Sequence, residues 1–183
     1  MNNVTLEVTN QMRLVGLILS DDLTWTANTD SMVKRAYAKL WILRRLKQMG
    51  AESNILKLIY FRHVRSILEF GVPVWNRAIT KKEVSKIERV QKIAIHIIYG
   101  KQLSYTQSCK NFKIEKLIVR REKLCTNFAK KALKHEKFSE WFVKEESDNS
   151  QKTKYLQTIS RGKRLDKAPI PYLTRLLNNK LIN

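Results

Sequence analysis

The chain has 183 residues, of which 43% are hydrophobic, and it carries 36 Lys and Arg against 16 Asp and Glu, a formal net charge of +20. The apolar content is enough for a core, and the length predicts one domain, or one domain with appendages. A small soluble domain normally carries a net charge of only about 2–8 in magnitude, so the composition argues against a generic surface. It indicates a polyanionic partner, with nucleic acid first and an anionic membrane surface second.

The positive charge is concentrated after the first 30 residues. That opening segment holds one basic residue against four acidic ones, a net −3, so the remainder carries +23. A helical region this basic repels itself unless it meets a polyanion.

The cysteine and histidine content argues against metal or disulfide chemistry. Cys109, Cys125 and three scattered histidines form neither a zinc pattern nor a disulfide scaffold, and Cys125 lies on an apolar helix face typical of a core residue. No signal peptide pattern opens the chain, and no apolar run approaches the ~20 residues that span a bilayer. We expect no metal, cofactor, small-molecule ligand or membrane partner, and an intracellular location, cytoplasmic and/or nuclear.

The N-terminal residues have the pattern of a β-hairpin. Residues 4–8 alternate at period two, residues 12–19 are apolar and partly β-branched, and Asn10-Gln11 separates them. Two strands alone are marginal in water, so the hairpin should pack on the helices or on a partner. Asp21 and Asp22 follow without further acids nearby, which indicates a turn rather than a pair of metal ligands.

Apolar residues at three- and four-residue intervals predict four helices, at about 29–49, 53–70, 80–100 and 114–136. The second is expected to be central, with Ser53 as its cap and Ile55, Leu58 and Arg62 on its repeating face. Gly50 closes the first helix, and Thr80 with Glu83 forms a capping box at the start of the third. The fold class is therefore mainly α, an N-terminal hairpin followed by a helical bundle.

The pattern divides the chain into four segments. These are a hairpin and turn (1–25), a three-helix bundle (26–100), a connector and fourth helix with an aromatic cluster (101–146), and a flexible, basic, partly irregular tail (147–183). In the third segment Tyr105 is expected to anchor the connector, and Phe138, Trp141 and Phe142 to fold back on the bundle. A short helix is expected within the tail, at 174–181.

The first and third helices carry the cations best suited to phosphate contact. Between Asp30 and Glu52 the chain has no acidic residue, whereas a solvated helix face usually mixes both signs. With two arginines of the fourth helix, the candidate binding residues are Lys34, Arg35, Lys39, Arg44, Arg45, Lys47, Lys86, Arg89, Lys92, Arg120 and Arg121.

Four blocks of the chain resemble a known family. They are V-G-L-I-L-S-D-D-L-T-W (15–25), R-S-I-L-E-F-G-V-P-V-W (65–75), V-R-R-E-K-L-C-T-N-F-A-K-K (119–131) and I-P-Y-L-T-R-L-L-N (170–178). Together, in this order and spacing, they resemble the region downstream of the polymerase core in LINE-type, non-LTR retrotransposon reverse transcriptases of the Jockey-like clades. The resemblance covers nearly all of the chain.

The resemblance implies a place and a role for each segment. Residues 12–19 correspond to a primer-grip hairpin and 26–100 to a helical thumb that holds the template–primer duplex by its backbone. Asp21 and Asp22 match the turn after that hairpin, not the catalytic aspartates of the palm. The expected chain is thus a non-catalytic fragment of an RNA-directed DNA polymerase, whose partners are an RNA template, an RNA–DNA hybrid and a palm and fingers core.

Three alternatives stay open on the sequence. The chain is a docking module for a polymerase core or another protein, with Trp75 and Trp141 suggesting contact surface. It is a metal-dependent nuclease using Asp21, Asp22 and Asp30, although turn and helix-start positions account for these acids. Or its first helix binds an anionic membrane surface, although the apolar face of that helix is needed in the core.

Overall fold

A computed structural model describes residues 9–144, 155–157 and 167–181, and in this part the chain is mainly helical, with one antiparallel hairpin before the helices. The strands are β1 (Gln11–Leu14) and β2 (Leu17–Ser20). The helices are α1 (Thr26–Gln48), α2 (Ser53–Ile59), a π-helical segment (Tyr60–Arg65), α3 (Ser66–Glu69), α4 (Val72–Trp75), α5 (Lys81–Tyr99), α6 (Tyr105–Asn111), α7 (Leu117–Lys134), α8 (Glu136–Ser139) and α9 (Pro169–Leu181). The predicted fold class is confirmed.

The hairpin turns at Val15 and Gly16, not at Asn10-Gln11. Leu14 pairs with Leu17, and the two residues between them have φ of 47° and 83°, as a two-residue turn of the primed type requires. The predicted turn position was wrong because a β-branched residue at positive φ is uncommon, and sequence alone gives Val15 no reason to adopt it. Residues 4–8, the predicted first strand, lie outside the described residues.

The central helix is continuous from Ser53 to Glu69, with the π-helical segment in its middle. Its buried residues are Leu56, Tyr60, Val64 and Leu68, each four positions after the last. In a regular α-helix a four-residue step drifts by about 40° per turn, so this stripe would wind away from the core. The longer i→i+5 turn of the π-helix offsets the drift and keeps the four side chains on one face.

The structure also corrects the predicted face and the predicted cap of this helix. Ile55 and Leu58 are 51% and 47% exposed, and Arg62 is exposed. The prediction assumed a constant period of 3.6 residues, so it assigned the wrong residues to the buried face of a helix whose period changes locally. The N-cap residue is Glu52 rather than Ser53, and no side chain caps the first turn.

The other helix ends follow the predicted chemistry. After α1, Gly50 has a φ of 83° and the Ala51 N–H donates to the Leu46 carbonyl, a Schellman motif. At the start of α5, the Glu83 N–H donates to Thr80 Oγ1 (3.3 Å) and the Thr80 N–H donates to Glu83 Oε2 (2.6 Å). Both the helix end at Gly50 and the capping box are therefore confirmed.

The C-terminal helix is packed on the bundle, which corrects the prediction of a flexible tail for residues 169–181; most of the rest of the predicted tail, 147–183, lies outside the described residues. Leu173, Leu176 and Leu177 of α9 are buried and belong to the same core as residues of α1, α5 and α7. The Asn178 side chain exchanges two hydrogen bonds with the backbone of Tyr155, at 3.0 and 2.9 Å. The helix also begins at Pro169, five residues before the predicted 174, because Pro is well tolerated in a first turn.

The segment predicted as a connector contains α6, a short helix that was not anticipated. It opens with a second capping box, formed by Ser104 and Gln107. The hydroxyl of Tyr105 donates to Glu88 of α5 and accepts from Gln91 Nε2 at 2.8 Å, so its predicted anchoring role is confirmed. Of the aromatic cluster, Phe142 is buried while Phe138 and Trp141 remain exposed, 4.7 Å apart between ring centroids.

A buried amide joins the central helix to α5. Tyr60 is fully buried, and its hydroxyl donates to Gln91 Oε1 at 2.5 Å. Burial raises the pKa of Tyr60 well above its usual value, so the hydroxyl stays protonated and able to donate.

Replacing Tyr60 with Phe should lower the free energy of unfolding by about 1–3 kcal/mol, because Gln91 Oε1 is left buried without its donor. Tyr37→Phe, at a half-buried position of α1, is the control and should change stability by less than about 0.5 kcal/mol. Urea unfolding followed by circular dichroism measures both. Equal midpoints for the two variants would contradict the role assigned to the buried hydroxyl.

Gly71 and Gly50 offer a matched pair for testing how the hairpin packs. Both have positive φ, and an added Cβ at Gly71 would lie 3.0 Å from Cδ1 and Cδ2 of Leu17 in β2, whereas at Gly50 it would meet nothing within 4 Å. Gly50→Ala should cost about 1 kcal/mol from the left-handed backbone alone. Gly71→Ala should cost roughly 1 kcal/mol more because it also displaces Leu17. Thermal melts measure the difference, and equal losses would show that β2 does not pack closely on Gly71.

Candidate nucleic-acid interface

Helices α1 and α5 lie side by side and run in the same direction. Near their starts, Lys86 Nζ is 2.5 Å from Asp30 Oδ1. Near their ends, Lys47 Nζ donates to the carbonyl oxygens of Ile97 and Ile98 at 2.5 and 3.1 Å. Their most extensive packing within the described helices is with each other. The two helices therefore contact each other through polar groups near both of their ends.

Eight of the predicted binding residues are exposed on these two helices. They are Lys34, Arg35, Lys39, Arg44, Arg45, Lys47, Arg89 and Lys92. All but Lys47, whose amine bonds carbonyl oxygens of α5, have their charges available to a phosphate backbone.

The exposed cations of α1 fall on two flanks. At 100° per residue, Lys34, Arg44 and Arg45 lie within about 60° of Asp30, the residue that faces α5. Arg35 and Lys39 are rotated from Asp30 by roughly 140° and 180°, so they point to the opposite flank. The exposed cations of α1 are therefore divided between two flanks, and the larger group adjoins α5.

Helix α5 extends the first of these flanks. Lys82 and Arg89 lie within about 60° of Lys86, which marks the edge of α5 next to α1. Both are exposed. Lys82 was not among the predicted binding residues, although its spacing of four residues from Lys86 could have found it. We call the set Lys34, Arg44, Arg45, Lys82, Lys86 and Arg89 the α1–α5 cationic face.

Lys47 and Arg120, two other predicted binding residues, make contacts within the protein. Lys47 sits at the C-terminal end of α5, where a cation complements the helix dipole and the free carbonyls. Arg120 Nε is 2.9 Å from Glu69 Oε1, which also lies 3.4 Å from Arg65 Nε. These cations stabilise the bundle and are poor candidates for phosphate contact.

Arg121 is buried and is withdrawn from the candidate binding residues. It is 1% exposed, its Nε donates to Asn76 Oδ1 at 3.0 Å, and its guanidinium carbon lies 5.9 Å from the centroid of the Trp75 ring. Burial lowers its pKa, because the charged form loses hydration. Leu117, Arg121 and Cys125 follow each other at four-residue intervals, so the helix period already put Arg121 on the apolar face.

The surroundings of His96 and Cys125 favour the uncharged forms of both side chains. His96, on α5, has a lowered pKa because of partial burial and the nearby Lys92 and Lys101. Cys125 is buried, which raises its thiol pKa to about 11 and keeps it protonated and inert. Its prediction as a core residue is confirmed.

The adjacent aspartates form a turn. Asp22 Oδ1 accepts hydrogen bonds from the Thr24 N–H and the Thr24 hydroxyl, both at 2.9 Å. Within the described ranges no three His, Cys, Asp or Glu side chains are grouped so that they could hold a metal ion. The predicted turn is confirmed.

Comparison with known proteins gives no relative: no protein-family model, no curated protein and no solved structure matches the chain. None of the helices in the described segments has the length and apolar character needed to cross a bilayer.

The ion pair between Asp30 and Lys86 generates a test of this interface. Asp30→Asn removes the acid that pairs with Lys86 and frees that lysine, so affinity for an RNA–DNA hybrid should rise. The slope of log K against log salt should become steeper by about 0.7–0.9. Stability should change by less than about 1 kcal/mol, since the pair is solvent-exposed.

Glu122→Gln, an equal charge change on the exposed surface of α7, is the matched control and should leave the slope nearly unchanged. Fluorescence anisotropy with a labelled hybrid measures both variants. An equal increase in affinity for the two would mean that net charge alone, not this face, determines binding.

Proposed function

We propose that the chain binds the phosphate backbone of template–primer nucleic acid, RNA or an RNA–DNA duplex, without sequence specificity. In this proposal it is the thumb-like and downstream part of a non-LTR retrotransposon reverse transcriptase and performs no chemistry itself. The observation that carries the proposal is the α1–α5 cationic face, which places exposed cations of two parallel helices along a shared edge.

The geometry suits backbone contact better than base readout. Lysine and arginine on a rigid surface neutralise phosphates and fix the position of a duplex without reading its sequence. A hybrid duplex is close to A-form, and its deep major groove does not admit side chains, so it is recognised by shape and backbone. Helices α1 and α5, which are joined by polar contacts near both ends, provide a rigid surface of that kind.

The proposal also accounts for the acids at the N-terminal turn. Asp21 and Asp22 are engaged in the turn before α1, where Asp21 Oδ1 accepts the Asp22 N–H at 2.8 Å. We assign them to the positioning of α1 after the hairpin, not to catalysis. The polymerase chemistry of the parent protein would belong to a palm domain supplied beside this segment.

A docking module for a polymerase core or another protein is the second candidate, supported by an apolar surface. Val74, Phe70 and Leu14 line one groove beside the hairpin, and Val74 also lines a second groove with Trp141 and Ile170. All five side chains are substantially exposed, and an apolar patch of this kind is typical of an interaction site.

The two candidates differ in their response to salt. Contact through the apolar grooves should persist in a pull-down with a separately expressed polymerase core at high salt. Contact through the cationic face should weaken steeply between about 50 and 200 mM salt, because it depends on counterion release.

The triple variant Lys34→Gln, Arg44→Gln, Arg45→Gln should weaken hybrid binding and reduce the slope of log K against log salt by about 2–3, from three lost phosphate contacts. The matched control is Lys130→Gln, Lys131→Gln, Lys134→Gln, which removes the same charge from exposed positions of α7. The control should reduce the slope by less than about 1.

Anisotropy titrations with one hybrid at several salt concentrations compare the two triple variants. If both lose affinity equally, binding depends on overall charge and the α1–α5 cationic face is not the site. If wild-type protein shows no salt-dependent binding, the proposed function is wrong.

A further inference from the structure

An exposed tryptophan lies within the α1–α5 cationic face. Trp41 is 65% exposed, although Trp is usually among the more buried residues. Its neighbours in the helix, Leu40 and Leu43, are both buried. The indole is therefore directed away from the core by the same helix period that buries those leucines.

The exposed residues three or four positions from Trp41 are small or cationic, and the half-buried Tyr37, four positions before it, packs against the core. Ala38 lies three positions before it, Arg44 and Arg45 three and four positions after, and Lys34 seven before, all exposed. Side chains three and four positions apart are neighbours on a helix, with Cβ atoms about 5–6 Å apart. The short side chain of Ala38 leaves one side of the indole unobstructed, and the cations lie beyond its ends.

This arrangement has the two features of a site for single-stranded nucleic acid. Cations follow the backbone, and an aromatic ring offers a surface on which a base can stack without regard to sequence. Inside a duplex each base is already covered by its neighbours, so only an unpaired base presents a free face. Backbone contact alone gives no reason to expose an indole among the cations.

We propose that Trp41 stacks on an unpaired base, so that the α1–α5 cationic face binds the single-stranded segment next to a duplex as well as the duplex itself. The inference rests on the proposed nucleic-acid function and narrows its ligand to a hybrid that carries an overhang. Lys34, Arg44 and Arg45 then contact the phosphates on either side of the stacked base.

The test compares a blunt RNA–DNA hybrid with the same hybrid bearing a single-stranded template overhang of about six nucleotides. The wild-type protein should bind the overhang substrate roughly ten-fold more tightly, and Trp41→Ala should remove this preference with less than about a two-fold change for the blunt hybrid. Trp41→Phe should retain most of the preference, because the ring can still stack. Trp141→Phe is the control, since Trp141 is 40% exposed but lines an apolar groove.

Tryptophan emission gives a second readout that does not depend on affinity. Quenching by the overhang substrate should be lost in Trp41→Phe and retained in Trp141→Phe. If Trp41→Ala binds the overhang substrate as tightly as wild type, or loses affinity equally for both substrates, the stacking inference is wrong while the proposed function stands. If the wild-type protein binds neither substrate, the proposed function fails as well.

Discussion

The parallel pairing of α1 with α5 is the contact on which the candidate interface depends. Met32, Ala36, Leu40 and Leu43 of α1 are buried in the core that also holds Ile87 and its neighbours in α5. Burying apolar surface contributes about 25 cal/mol per Å², and it draws the two helices together without fixing their direction. The two helices run in the same direction with a polar contact near each end, and this arrangement brings the cations of both helices to one edge.

A buried polar network supports this pair from behind. The Gln91 side chain accepts from Tyr60 of the central helix and donates to Tyr105 of α6 and to the Glu115 carbonyl at 3.0 Å. Glu88, one turn earlier, accepts the Ile118 N–H at 2.6 Å, where a carboxylate complements the N-terminal end of α7. One helix, α5, thus presents cations to solvent on one side and holds the central helix, α6 and α7 on the other. Because the buried side of α5 is held by three other elements, the cations on its solvent side lie on a rigid surface.

Much of this architecture could be predicted from the sequence because it depends on local rules. The capping box of Thr80, the helix end at Gly50 and the apolar periodicity of the long helices each involve residues close in the chain. The turn at Val15 was missed because it requires a conformation that β-branched residues seldom adopt. The exposed Ile55 was misplaced because nothing in the sequence marks the change of helix period at the π-helical segment.

The sequence indicated which cations to consider for the candidate site, but not how they are arranged in space. The sequence identified the cations of α1. It did not show which helices pack together, and that packing determines the two flanks, the internal contacts of Lys47 and the edge shared with α5. For Arg121 the sequence did indicate the position. Its spacing from Leu117 and Cys125 placed it on the buried face of α7, and only its charge suggested a binding role. Trp41 was overlooked because a tryptophan among leucines is most simply a core residue.

Lysine footprinting tests the central claim most directly, by comparing chemical acetylation of the protein alone and when it is bound to an RNA–DNA hybrid at low salt. The account predicts that the hybrid protects Lys34, Lys82 and Lys86 of the α1–α5 cationic face, while Lys130, Lys131 and Lys134 of α7 remain as reactive as in the free protein. Equal protection of both groups, or protection of the α7 lysines alone, would contradict it.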